Sequence, residues 1–93
     1  MADSIYIADL IQRQLREGRY TRRVRVLGDD MTSRVVGSDE VWYVPVSVHR
    51  DAEHMSMIYD GLSDVEENLI KEHGLRVILV PRIIPFHRWE DVA

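Results

Sequence analysis

Cysteine is absent from the 93 residues, which removes disulfide frameworks, thiolate metal sites and cysteine nucleophiles together. Such a chain suits a reducing compartment, so a cytoplasmic location is the expectation. Lysine is almost absent too: Lys71 stands alone beside eleven arginines. The five glycines never cluster, and no P-loop, G-x-G-x-x-G or G-x-S-x-G spacing occurs, which leaves no phosphate cradle and no serine elbow. No window approaches the ~20 apolar residues of a membrane-spanning helix. The opening MADSIYIADLIQRQL has acids where a signal peptide carries its basic region, and Gln12 and Arg13 interrupt its apolar run, so a leader is not expected.

What is present fits one small domain, residues 1–93, with 45% apolar and 30% charged residues. The net charge of −4 is unevenly spread. Residues 1–37 hold seven arginines against five acids, and residues 38–75 hold nine acids against Arg50 and Lys71. The chain is therefore basic, then strongly acidic.

Periodicity predicts the elements. Ile7, Leu10, Ile11 and Leu15 recur at helical spacing with Tyr6 widening the stripe, so residues 4–17 read as a helix. Asp3 or Ser4 can cap it, and Gly18 suits a left-handed stop. In YTRRVRVLGDD, Val24 and Val26 alternate with Arg23 and Arg25, which is the period of a half-buried strand. Residues 33–36 read as a short strand or as part of a long loop, and 40–49 as the clearest strand. Trp42, Val44, Val46 and Val48 form one face of it, and Val41, Tyr43, Pro45 and Ser47 the other. Pro45 cannot donate to a ladder, which places this strand at an edge, with Tyr43 on a pairing surface, or puts a bulge there.

Met55, Ile58, Leu62, Val65 and Leu69 step by three and four, predicting one long helix from about 54 to 73 that runs through Gly61. Gly74 supplies the stop. Val77 to Val80 is apolar on both faces, the signature of a central strand covered by a helix. Residues 84–93 form a tail carrying Phe86 and Trp89, expected to dock on the core or on a second subunit. The order helix, strand, short strand, strand, helix, strand predicts an α+β two-layer sandwich, with a small, mostly antiparallel sheet and two helices. If the 40–49 and 76–83 strands are parallel, they form a βαβ crossover.

Three constellations could carry chemistry. His49, Arg50, Asp51, Glu53 and His54 crowd one junction. The two histidines stand five apart, whereas a helical metal pair needs four and a strand pair two. Asp51 and Glu53 also suit a helix N-terminus. The second is the run Arg13, Arg16, Arg19, Arg22, Arg23 and Arg25, which could touch phosphates, although no helix-turn-helix, zinc set or aromatic RNA-binding motif accompanies it. The third is Asp60, Asp64, Glu67 and Lys71 along one face of the long helix, the pattern of a solvated or docking surface.

With no catalytic signature, no cofactor and no metal ligand set in the pattern, the leading expectation is a non-enzymatic interaction module of inhibitor, immunity or antitoxin type. Self-association as a homodimer is expected, with Tyr43, His49, Arg50, Trp89 and the arginine run as candidate contacts. The alternatives are a nucleic-acid-associated protein using Arg13 to Arg25 and a small enzyme or metalloprotein centred on His49 to His54.

Overall fold

The computed structural model describes residues 3–49 and 54–84. Two helices cover one face of a four-stranded sheet, an α+β arrangement in two layers. Helix α1 spans Ser4–Glu17; the Asp3 carboxylate accepts from the Ile5 N–H at 3.2 Å and so satisfies one of its free donors. Ile7, Ile11 and Leu15 are fully buried, each contributing about 1.5–3 kcal/mol of apolar burial. Tyr6 lies outside that stripe and is exposed.

Helix α2 spans Met55–His73 as one piece, burying Ile58, Leu62, Val65 and Leu69. Gly74 follows at φ +65, its N–H bonded to the Ile70 carbonyl at 3.1 Å, while the Leu75 N–H reaches Leu69 at 3.2 Å. The left-handed stop expected at Gly18 is not there: Gly18 is extended, with φ −75 and ψ 143. A different constraint holds that position. A Cβ on Gly18 would lie 2.2 Å from the Thr21 Oγ1, and that hydroxyl donates to the Leu15 carbonyl at 2.7 Å. Thr21 is 1% exposed and its other branch faces Gly61 of α2. One threonine thus wedges the two helices at two glycines.

The predicted strand around Val24 shrinks to β1, Arg25–Val26, because the residues before it are taken up by turns. A 3-10 turn at Gly28–Asp30 leads into β2, Thr32–Val36, and Gly37 at φ +64 turns the chain into β3, Asp39–His49. Positive φ at the first loop position alone is the pattern of a II′ hairpin turn, in which glycine is favoured. β1 and β2 both pair antiparallel with β3, Arg25 opposite Ser47 and Thr32 opposite Tyr43. β4, Arg76–Ile84, pairs with β3 in parallel along Val41 to His49. The β3–α2–β4 unit is therefore a parallel crossover, and the sheet is mixed.

Strand β3 is consequently the centre of the sheet, not its edge, and β4 is the edge that Val77 to Val80 had suggested was central. Pro45 is accommodated by neither an edge position nor a bulge but by a gap in the pairing opposite it. The Leu27 N–H donates to the Pro45 carbonyl at 2.9 Å. A strand residue's N–H and carbonyl point to the same side, so the missing donor of Pro45 faces the 3-10 interruption between β1 and β2, where the partner register jumps by three residues. No ladder bond to β4 is lost. β4 carries alternation rather than two buried faces: Val77 and Leu79 are buried, while Ile78 and Val80 are exposed.

Side chains from the helices close the sheet margins. Gln12 of α1 donates through Nε2 to the Val24 carbonyl at 3.0 Å and accepts through Oε1 from the Val26 N–H at 2.9 Å, acting as a one-residue neighbour strand for β1. Gln12→Glu keeps the acceptor but sets a carboxylate against the Val24 carbonyl. The expected loss is about 1–2 kcal/mol, read as a lower urea midpoint at unchanged slope; an unmoved midpoint would show that water replaces the amide. Among the described residues, no helix is long and apolar enough to cross a membrane.

Candidate functional site

Two-residue alternation divides the sheet into two faces. Trp42, Val44, Val46 and Val48 of β3, with Val77 and Leu79 of β4, meet the helices and form the core. The Trp42 Nε1 is buried there with no hydrogen-bond partner among the described residues. The opposite face has no described helix on it.

Cross-strand register lays that face out in rows. Arg34, Val41 and Arg76 form one row, and Thr32, Tyr43 and Ile78 the next. Pro45 pairs with Val80, and Arg25, Ser47 and Arg82 form the last full row. An arginine therefore stands on either side of β3 at both ends of an apolar middle. Strands are ~4.8 Å apart and rise ~3.3 Å per residue, so the four arginines frame a patch of about 10 by 20 Å. Ile78 is 43% and Val80 40% exposed within it. Tyr43 and Val41 are half-buried, and Pro45 and Ser47 on the central strand are buried between their neighbours.

Two of the four guanidiniums already hold carboxylates. Arg82 contacts the Asp30 Oδ2 at 2.8 Å, and Arg76 contacts the Asp39 Oδ2 at 3.5 Å. All four partners are more than half exposed, so these pairs are weak and exchangeable. Arg25 donates to the Arg22 carbonyl at 2.8 Å.

The arginine run starts on α1 and ends on β1. Arg13 pairs with Asp9 at 2.8 Å one turn earlier on α1, and Arg19 lies over the Tyr20 ring at 5.5 Å. Arg16, Arg22 and Arg23 are exposed. Of the six, Arg25 is the one that register places in the framed patch, joining Arg34, Arg76 and Arg82, which the sequence pattern did not single out. Their common signal is an arginine at an outward position of β1, β2 and β4, and it becomes visible only when the register is known. Tyr43 falls at the centre of this face rather than on an edge.

At the β3–α2 junction, Arg50, Asp51 and Glu53 lie outside the described residues, as do Phe86 and Trp89 of the tail. His49 ends β3 on the framed face. His54 occupies the N-cap of α2 at φ 59, a left-handed conformation unusual for a residue with a Cβ, and makes no side-chain cap. Its ring packs at 5.4 Å from that of Tyr20. Among the described residues, no group of three His, Asp or Glu side chains could hold a metal ion.

The acidic side of α2 is a solvated face. Glu67 and Lys71 form an exposed ion pair. Their hydrogen bond, and secondly their mutual charge, hold the Glu67 carboxyl below its ordinary range and the Lys71 ammonium above its own. Glu66 departs from this pattern. It is half-buried and accepts from the Leu79 N–H of β4 at 2.7 Å. No family model, no curated protein sequence and no solved structure matches the chain.

Proposed function

We propose that the protein is a small non-enzymatic interaction module that works through the arginine-framed face of its sheet. The observation that carries this reading is the exposed apolar floor of Ile78 and Val80 beside Tyr43, which no described element covers, on a sheet whose other face holds the core. A contiguous apolar patch rimmed by charge is the ordinary anatomy of a binding surface. An inhibitor, immunity or antitoxin-type role suits a domain of this size. Pairing through a strand margin is less favoured than docking on the face. Gln12 caps β1, Glu66 and Pro81 block β4, and Arg34 would oppose its own copy if β2 paired antiparallel about its middle residue.

Photo-crosslinking tests the reading. A benzophenone amino acid at position 43, in cells that make the protein, is expected to give one discrete adduct. The same residue at position 68, on the exposed side of α2, is expected to give none. Equal labelling from both positions, or none from 43, would remove the sheet face as the working surface.

A further inference from the structure

We infer that the occupant of this face is an acidic amphipathic helix of a partner protein, whose carboxylates replace Asp39 and Asp30 on Arg76 and Arg82. This rests on the reading of the sheet face as the working surface. Width is the first argument. The arginine columns of β1/β2 and β4 are about 10 Å apart, which matches the diameter of a helix with its side chains. Length is the second. About 20 Å between the two arginine rows is roughly 13 residues of helix, enough for an apolar stripe to lie along Tyr43, Ile78 and Val80 while acids on its flanks reach both rows.

Charge selects the chemistry further. Arg25, Arg34, Arg76 and Arg82 share the face, and among the described residues register places Asp39 as the one acid with them, with Asp30 reaching Arg82 from its margin. A second copy docked face to face about a twofold axis would set guanidiniums against guanidiniums. The ligands that Arg76 and Arg82 already hold are carboxylates, in exposed pairs that exchange at low cost. A nucleic-acid strand would also supply anions, but its bases bind by stacking on aromatic planes. Among the described residues this face offers the Tyr43 ring, with His49 at the end of β3, beside the aliphatic Val41, Ile78 and Val80, on a chain of net charge −4.

Fluorescence anisotropy decides between these. The probes are a labelled 14-residue leucine/glutamate peptide patterned as an amphipathic helix, its leucine/glutamine counterpart, and a labelled 12-nucleotide oligothymidylate. The glutamate peptide is expected to bind about tenfold or more tighter than the glutamine peptide, with the difference shrinking at high salt. Arg34→Gln with Arg76→Gln is expected to weaken it by about tenfold. Asp39→Asn, which frees Arg76, is expected to tighten it by about two- to fivefold. All three positions are exposed, and unchanged thermal midpoints would show the variants folded. Equal binding of the two peptides, insensitivity to the arginine or Asp39 substitutions, or tighter binding of the oligonucleotide would overturn the inference. A position-specific adduct at 43 would in those cases leave the sheet face standing with a different partner. Absence of that adduct would remove both.

Discussion

Gly61→Ala is expected to lower the thermal midpoint, the reverse of what helix propensity alone dictates. In an exposed helix interior, alanine gains about 1 kcal/mol over glycine. Here the new Cβ would lie 2.7 Å from the Thr21 Cγ2, which is fully buried and held in place by its hydroxyl bond to Leu15. Thr21 cannot retreat, because its other side is the Gly18 contact. Overpacking of this kind costs about 1–3 kcal/mol, so after the propensity gain the net expected loss is up to about 2 kcal/mol, or up to roughly 15 °C for a domain of this length. Thr21→Ser removes the clashing methyl and keeps the hydroxyl. The double variant Thr21→Ser/Gly61→Ala should therefore be more stable than the sum of its parts, by a coupling of about 1 kcal/mol or more in a thermal-melt cycle. Additive effects would mean that the helices move apart freely, and the wedge would not be what sets their spacing.

That wedge marks the boundary of what could be read from the chain. The α2 stripe through Gly61 was legible because Ile58, Leu62, Val65 and Leu69 keep helical spacing whatever surrounds them. Why a glycine sits in the stripe was not, because the reason is a residue forty positions earlier. The same division holds in the sheet. Alternation in 40–49 identified both faces of β3, and Trp42 to Val48 are buried as their period requires. Its place in the strand order was not in that period. Pro45 signals a missing donor but not which neighbour would have received it, and the answer depends on the interruption at Gly28–Asp30. Val77 to Val80 misled for a related reason. Ile78 and Val80 lie on the face opposite the helices, where no described element buries them.

The candidate site was the least legible part. The sequence draws attention to clusters of like residues, and Arg13 to Arg25 is the densest. That run passes from helix α1 through turns into β1. The arginines that do share a face come from three strands, separated by up to 57 positions between Arg25 and Arg82, and Arg34, Arg76 and Arg82 each stand alone between uncharged neighbours. Gln12 and Glu66 were hidden differently. Both sit on helices as ordinary polar residues, and their work is done on the backbone of strands distant in the chain.

Glu66→Ala is expected to cost about 2 kcal/mol, roughly 10 °C in thermal midpoint. The carboxylate accepts from the Leu79 N–H at 2.7 Å in a half-buried setting. Its loss leaves an outward-facing donor in the middle of the edge strand. Outward N–H groups recur at every second residue, so the next along β4 would be at position 81, where proline has none. The two residues together deny a ladder to any approaching strand at the point where β4 is most apolar. Removing Glu66 alone should therefore destabilise more than it oligomerises. Glu66→Ala with Pro81→Val restores a run of free donors beside exposed Ile78, Val80 and Ile83 and should produce concentration-dependent dimers or larger species in sedimentation velocity. Glu66→Gln keeps an acceptor oxygen and should retain more than half of the lost stability. If Glu66→Gln proved as unstable as Glu66→Ala, the carboxylate's charge rather than edge capping would be responsible. If the double variant stayed monomeric at high concentration, the edge would be guarded by something other than these two residues.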